Sequence, residues 1–153
     1  MSGKLMRHNL IVLVAEDDEA DIAFLKRAFL KAGINVPLHF VRDGQEAIDY
    51  LSGEEPFHSR RDHPLPNLLL VDIKMPRLNG FDVLKWVRDQ QSLCRLPVLV
   101  LTSSNLDRDV NRAYELGANS YLVKPSDLDD LGRLARDVES YWGRRNRAPR
   151  IEE

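Results

Sequence analysis

Apolar residues gather in short runs along the chain, and the strongest runs predict buried β-strands. Four of them are continuous and rich in branched aliphatic side chains, as in parallel sheets that helices cover on both faces. A fifth run alternates, with His39 facing away from Leu38 and Phe40, which favours a position near the sheet edge. The predicted strands are Leu10–Val14, Leu38–Val41, Leu68–Val71, Val98–Leu101 and Tyr121–Val123.

Amphipathic segments of helical length separate these runs. In the first segment Ile22, Leu25 and Phe29 recur at helical spacing, and Gly33 follows as a stop signal. Ser126 is predicted to be the N-cap of the last segment. Strand and helix therefore alternate along the whole chain, which predicts a doubly wound α/β fold on a parallel sheet. The predicted helices are Asp18–Lys31, Gly44–Leu51, Phe81–Gln90, Asp107–Leu116 and Ser126–Trp142.

Length and composition place this pattern in one soluble domain. The 153 residues carry a formal net charge of −2 and a single cysteine, Cys94. The chain therefore lacks the excess of basic residues that is typical of nucleic-acid-binding domains. A lone cysteine fits a reducing, cytoplasmic compartment. No apolar run approaches the roughly 20 residues that span a bilayer. We expect a domain over 9–142, a short extension over 1–8, a surface loop over 53–66 and a mobile tail over 143–153.

Carboxylates, a hydroxyl and an ammonium follow four of the predicted strands, at the edge where parallel sheets carry functional sites. These residues are Glu16, Asp17, Asp18, Asp72, Thr102 and Lys124. Such a crowd of negative charge needs a cation, and oxygen ligands favour Mg²⁺ or Mn²⁺. Taken singly, each residue also fits a helix cap, a turn or a surface position.

Together these residues suit phosphoryl transfer to a carboxylate. Asp72 is the candidate nucleophile because it follows the central third strand. Asp17 is a candidate metal ligand, with Glu16 acting through water or from a second position. Thr102 and Lys124 are candidates to hold the phosphoryl oxygens.

In four motifs the chain resembles the response-regulator receiver domain of bacterial two-component signalling. The motifs are VLVAEDD (12–18), LLLVDIKMPRLNGFDVL (68–84), PVLVLTSS (97–104) and GANSYLVKP (117–125). The resemblance covers nearly all of residues 9–142. It implies a flavodoxin-like fold, with a parallel sheet in the strand order 2-1-3-4-5.

The resemblance also implies the roles of the acidic residues. Asp72 would accept a phosphoryl group from a histidine kinase. Glu16, Asp17, Asp72 and the main-chain carbonyl of Lys74 would bind Mg²⁺, with Mn²⁺ as the other candidate ion. We further hypothesise that the Lys74 side chain pairs with the phosphoryl group, Glu16 or Asp18, and so changes the lifetime of the aspartyl phosphate.

Three further expectations concern the last two strands. Thr102 and Lys124 would contact the phosphoryl oxygens, and Tyr121 would be the aromatic switch that turns inward when the threonine moves. The Lys124–Pro125 peptide bond would be cis, as it commonly is in the family.

A closer likeness is to the stand-alone receivers that partner bacterial phytochrome-type sensor kinases. It depends on the 53–66 insert, the stretch YELGANSYLVKPSDLDDL and the pair Tyr141-Trp142. Because few residues follow Trp142, we expect output through protein contact. The partner would be a histidine phosphotransfer protein, another protein target or a second copy, through the face of the fourth helix, fifth strand and fifth helix.

Three other functions compete with this phosphorylation switch. A phosphohydrolase using Asp72 would be expected to carry a second acid where Lys74 stands, and a lid domain. A flavin-binding electron carrier would need a loop rich in Ser, Thr and Gly in place of the acidic residues 16–18. A degenerate receiver would act as a scaffold without phosphorylation, against which the complete set of site residues argues. We expect no enzymatic activity beyond the reactions of the chain's own aspartate.

Overall fold

Five parallel strands form the central sheet of the computed structural model, which describes residues 10–151. They are β1 (Val12–Ala15), β2 (Leu38–Val41), β3 (Leu68–Val71), β4 (Val98–Thr102) and β5 (Ser120–Val123). Their order in the sheet is β2-β1-β3-β4-β5, as predicted. β2 lies at one edge, which agrees with its alternating pattern. The expected extension over 1–8 lies outside the described residues.

Five α-helices alternate with the strands. They are α1 (Glu19–Lys31), α2 (Gly44–Ser52), α3 (Gly80–Asp89), α4 (Asp107–Glu115) and α5 (Leu128–Ser140), and a π-helical turn, Tyr141–Arg145, follows α5. The prediction that Ser126 caps the last helix is wrong. Asp127 is the cap, because its Oδ1 accepts the N–H of Asp129 at 3.1 Å.

The two faces of the sheet bury separate apolar clusters. Val12 and Val14 pack with residues of α1 and α5 on one face. Leu13 and Ala15 pack with residues of α2, α3 and α4 on the other face. Because β1, β3 and β4 are buried on both sides, the residues that directly follow them have little positional freedom. β5 was predicted to be buried as well, but it lies at the other edge of the sheet and is only partly buried.

The 53–66 loop contains no regular element, as predicted, but it is anchored to α2. The Arg60 guanidinium donates to the main-chain oxygens of Tyr50 at 2.8 Å and Leu51 at 3.0 Å. The buried Tyr50 hydroxyl in turn donates to the main-chain oxygen of Pro64 at 2.9 Å. The two Arg60 bonds add acceptor contacts in the last turn of α2, where the Tyr50 carbonyl also accepts the N–H of Gly53 at 3.2 Å.

The chain after α5 returns toward the core. The Arg95 guanidinium donates to the main-chain oxygen of Arg150 at 3.2 Å, and Ile151 packs partly buried against the cluster beneath α2, α3 and α4. The expected mobility of the tail stays a prediction. No helix in the described part of the chain has the length and apolar character needed to cross a membrane.

Candidate functional site

Four strands place polar residues at the same edge of the sheet. Glu16 follows β1, Asp72 follows β3, Thr102 ends β4 and Lys124 follows β5. The exposed fractions of Glu16, Asp72 and Thr102 are 5%, 7% and 0%, respectively. The structure therefore brings these predicted site residues together in a buried position.

The Lys124 ammonium lies at the centre of this group. Its Nζ is 2.5 Å from Glu16 Oε1, 2.7 Å from Asp21 Oδ2 and 2.7 Å from Asp72 Oδ2. Hydrogen bonds between ionised partners at these distances are strong. One positive charge faces three carboxyl groups, so the site keeps an excess of negative charge that favours a further cation.

Asp21 is a member of this group that the sequence reasoning missed. It lies in the first turn of α1, where its N–H donates to Asp18 Oδ1 at 2.9 Å. Side chains of a helix tilt toward its N-terminus, so the Asp21 carboxylate faces the residues after β1. The signal in the sequence was an acid one turn after Asp18, the residue that caps the helix.

Asp17 and Lys74 lie beside the cluster. Asp17 is exposed, and with Lys74 it lines an open depression next to the loop after β3. The Lys74 N–H donates to Asp72 Oδ1 at 3.2 Å. Within the described residues, the Lys74 ammonium pairs with neither Glu16 nor Asp18, two of the partners that the sequence suggested.

Thr102 has a buried hydroxyl that lacks a partner. Its Oγ1 atom makes no hydrogen bond in the described part of the protein, although it lies near enough to Asp72 to help lower the pKa of that carboxyl. A buried hydroxyl without a partner costs free energy. Thr102 is therefore ready to donate to an additional acceptor beside Asp72.

The predicted switch residue, Tyr121, is half-buried in β5. Its hydroxyl donates to the main-chain oxygen of Ser104 at 2.9 Å, and the Ser104 hydroxyl donates to Asp109 Oδ2 at 2.6 Å. Tyr121 is thereby tied to the loop that begins directly after Thr102. Its role as a switch stays a prediction.

Burial and the Lys124 charge act in opposite directions on the two buried carboxyl groups. Burial raises the pKa of Glu16 to about 7, and the Asp72 charge adds to this rise while Lys124 opposes it. Burial also acts to raise the pKa of Asp72, but the Lys124 hydrogen bond and charge outweigh it and hold that pKa below its usual range. Asp72 is therefore ionised at neutral pH, as a nucleophilic carboxylate must be.

Lys124 itself stays protonated. Burial acts to lower its pKa, but hydrogen bonds to Asp21, Asp72 and Glu16 outweigh burial and raise the pKa above its usual range.

The expectation of a cis peptide bond at Lys124–Pro125 is wrong. This bond is trans, and the cis bond in the described chain is Glu55–Pro56. The Lys124 ammonium reaches its three partners across a trans bond. The trans form is also the ordinary one before proline, by about 0.5–1 kcal/mol.

The acidic cluster fits a divalent cation. One oxygen each from Glu16, Asp21 and Asp72 lies within 4.8 Å of the others. Carboxylate oxygens are the ligands of hard cations such as Mg²⁺ and Mn²⁺. Asp17 offers a further carboxylate from the adjoining depression.

Comparison with known families identifies the domain. Residues 12–136 match the family model of the response regulator receiver domain. The chain belongs to this family. The match spans the whole sheet and includes all four site residues that converge at its edge. The family and the flavodoxin-like fold predicted from the sequence are therefore confirmed.

Three similar proteins show which response regulators this receiver domain resembles. The probable methanogenesis regulatory protein FilR2 of Methanothrix harundinacea is 37% identical, over 91% of this chain and 87% of its own. The Mn²⁺-bound form of response regulator Rcp1, a Synechocystis protein, is 33% identical with a TM-score of 0.80, over 92% of this chain and 99% of the other. The phosphorylated cyanobacterial phytochrome response regulator RcpA is 29% identical with a TM-score of 0.83, covering 93% and 99%. The predicted likeness to stand-alone phytochrome-type receivers is confirmed.

Proposed function

We propose that this receiver is a stand-alone response regulator that accepts a phosphoryl group on Asp72 in a Mg²⁺-dependent reaction. The observation that carries the proposal is the Asp72 carboxylate, which is buried, ionised and bonded to the Lys124 ammonium at 2.7 Å. A carboxylate in this state is a nucleophile with a cation already beside it.

In the proposed reaction, an oxygen of Asp72 attacks the phosphorus of a phosphohistidine on a kinase. A P–O bond forms while the P–N bond breaks, and the electron pair of the broken bond stays on the histidine nitrogen, which then takes up a proton. Lys124 offsets charge on the transferred group, and the unpartnered Thr102 hydroxyl donates to one of its oxygens. The chemistry is confined to the protein's own aspartate.

The residues that would hold the ion are Glu16, Asp17, Asp72 and the main-chain oxygen of Lys74. The structure adds Asp21 as a further carboxylate beside this set. When bound, Mg²⁺ or Mn²⁺ offsets the negative charge on the phosphoryl oxygens. The Mn²⁺-bound form of the relative Rcp1 supports this assignment.

The proposed signal is a change of surface that follows phosphorylation. The aspartyl phosphate carries a charge of about −1.5 to −2 where the free carboxylate carried −1, competes for Lys124 and gives Thr102 an acceptor. Tyr121 would follow Thr102 through the loop that both contact. A second copy would bind through the face of α4, β5 and α5. Exposed apolar side chains on these elements and the turn after α5 support this choice, namely Tyr114, Val123 and Tyr141.

The proposed donor is a sensor histidine kinase of the phytochrome type. The likeness to the phytochrome response regulator RcpA supports this choice. The phosphoryl group or the changed surface would then reach a histidine phosphotransfer protein or another protein target.

Intact mass after incubation with acetyl phosphate and Mg²⁺ tests the proposal. We expect one phosphoryl adduct on the wild type, and none on Asp72→Asn or when the metal is chelated. Asparagine keeps the shape of the side chain but removes the nucleophilic charge. An unmodified wild type would favour the scaffold function, and an adduct on Asp72→Asn would refute the assignment of the acceptor.

A further inference from the structure

The loop after Asp72 is attached to the beginning of α2. This loop, residues 73–79, connects β3 to α3. The main-chain oxygen of Leu78 accepts the N–H of Gly44 at 3.0 Å. A Cβ atom at Gly44 would lie 2.2 Å from that oxygen, so the close approach requires glycine.

A second attachment joins Arg77, at the tip of the loop, to Asp43. Arg77 Nε lies 2.9 Å from Asp43 Oδ2, and Nη2 lies 3.1 Å from Oδ1, so the contact is bidentate. Asp43 is also the N-cap of α2, because its Oδ1 accepts the N–H of Glu46 at 2.7 Å. Only 15% of the Asp43 side chain is exposed.

The charge on Asp43 is held in place by these contacts. Burial acts to raise the pKa of Asp43, but the hydrogen bonds from Arg77 and from the Glu46 N–H outweigh burial and lower the pKa below its usual range. The carboxylate is therefore ionised at neutral pH, and the guanidinium has a fixed partner.

Arg77 has a backbone conformation that residues other than glycine rarely adopt. Its φ is +65°, and no other non-glycine residue among those the structure describes has a positive φ. A residue with a Cβ atom reaches this region at an energetic cost, which persists only where the surroundings impose it. Arg77 makes its bidentate contact with Asp43 from this conformation, although 57% of its own side chain is exposed.

We propose that Arg77 and Asp43 are positioning residues that order the 73–79 loop for Mg²⁺ binding and phosphorylation. This inference rests on the proposed function, in which the main-chain oxygen of Lys74 holds the ion. Lys74 belongs to the loop, and its N–H already donates to Asp72 Oδ1 at 3.2 Å. A loop fixed in advance loses less backbone entropy when the ion binds, so the affinity for the ion is higher.

Two variants break the contact in different ways. Arg77→Gly removes the guanidinium and also relieves the positive φ, so we expect the denaturant midpoint to stay close to that of the wild type. Asp43→Asn keeps an oxygen that can cap α2 but removes the charge that binds Arg77. We expect both to raise the Mg²⁺ concentration for half-maximal phosphorylation by acetyl phosphate about three- to tenfold, with the maximal rate little changed.

The sign of the effect separates positioning from simple electrostatics. Without a positioning role, removing the positive charge of Arg77 would strengthen Mg²⁺ binding, whereas removing the negative charge of Asp43 would weaken it. Positioning requires both variants to weaken binding, and the double variant to be no worse than the more affected single variant. Arg61→Gly is the matched control, because it removes the same charge from an exposed arginine outside the loop.

Calorimetric titration with Mg²⁺ alone provides a readout that needs no phosphoryl donor. We expect Arg77→Gly and Asp43→Asn to bind Mg²⁺ more weakly than the wild type, and Arg61→Gly to bind it as tightly as the wild type. Unchanged affinity in Arg77→Gly and Asp43→Asn, or shifts of opposite sign, would overturn the positioning role. A wild type that binds Mg²⁺ but takes no phosphoryl group would instead overturn the proposed function, so the two failures are distinguishable.

Discussion

Replacement of Lys124 by methionine is expected to lower the free energy of unfolding by about 2–4 kcal/mol in metal-free buffer at neutral pH. Methionine preserves the length of the side chain but removes the charge. The carboxyl groups of Glu16, Asp21 and Asp72 would then face one another without the cation that now lies within 2.7 Å of each. Because Asp21 is 43% exposed, solvent would screen part of this repulsion, so the expected loss in the free energy of unfolding extends down to about 2 kcal/mol.

Saturating Mg²⁺ is expected to restore most of the stability that Lys124→Met loses. An ion that binds the folded protein and not the unfolded chain adds to the free energy of unfolding. Binding of Mg²⁺ would stabilise the variant more than the wild type, because in the variant the carboxylates are no longer shared with an ammonium. Urea unfolding with and without Mg²⁺ measures both effects.

Lys31→Met is the matched control for this experiment. Lys31 also pairs with an acid, Asp129, at 3.2 Å, but both side chains are 64% exposed. An exposed pair of this kind contributes about 0–1 kcal/mol, and its loss should not respond to Mg²⁺. Equal effects of the two substitutions would contradict the account of Lys124 as the cation that balances the site.

Gly80→Ala is expected to lower the free energy of unfolding by about 3 kcal/mol or more, a large cost for one added methyl group. Gly80 is the first residue of α3 and is buried. A Cβ atom there would lie 2.3 Å from the main-chain oxygen of Asp72 and 2.9 Å from the Cα of Ile73. Both neighbours are backbone, so neither can rotate away.

The same substitution should disturb the chemistry. Relief of the clash requires the backbone of Asp72 to move, and with it the carboxylate that faces Lys124. Displacement of a reacting group by about 1 Å can cost up to about 100-fold in rate, so we expect phosphorylation to slow at least about tenfold. Urea unfolding and the rate of adduct formation with acetyl phosphate measure the two effects.

Gly132→Ala gives the opposite expectation for the same chemical change. In the interior of α5, a Cβ atom at Gly132 would meet its nearest neighbours at 3.8 and 3.9 Å, which are ordinary contacts. Alanine should stabilise the helix by about 0.5–1 kcal/mol and leave phosphorylation unchanged. If Gly80→Ala were as well tolerated as Gly132→Ala, the contact between α3 and Asp72 would not constrain the site.

The fold and the central site residues were predictable because few patterns fit a parallel sheet. The continuous apolar runs identified the strands, and residues that directly follow parallel strands must share an edge. Glu16, Asp72, Thr102 and Lys124 could be grouped on this reasoning alone.

Residues outside the strand ends were harder to place. Asp21 meets Lys124 from a helix and not from a strand end, so the reasoning that grouped the other residues does not reach it, and an acid one turn after Asp18 is its only local signal. The exposure of Asp17 depends on the turn that carries the chain into α1. The trans bond before Pro125 and the cap at Asp127 depend on local backbone choices of about 1 kcal/mol, which a motif does not determine.

The attachment of Arg77 to Asp43 illustrates the same limit. Both residues lie in polar segments whose sequence is typical of ordinary turns. The contact is evident only in the structure, where Arg77 Nε lies 2.9 Å from Asp43 Oδ2 although the two residues are 34 positions apart. A positive φ at an arginine is also invisible in sequence, since glycine or asparagine usually marks such positions.

Chemical identification of the modified carboxylate decides whether Asp72 is the phosphoryl acceptor, because the structure places three candidate acceptors around one ammonium. Borohydride reduces an acyl phosphate to an alcohol, so treatment after phosphorylation in Mg²⁺ converts the acceptor into a stable product. Peptide mass spectrometry then locates it. We expect reduction of Asp72 alone, to homoserine. Reduction of Asp21 or Glu16 in its place, or of no residue in a protein that has gained a phosphoryl group, would contradict this expectation.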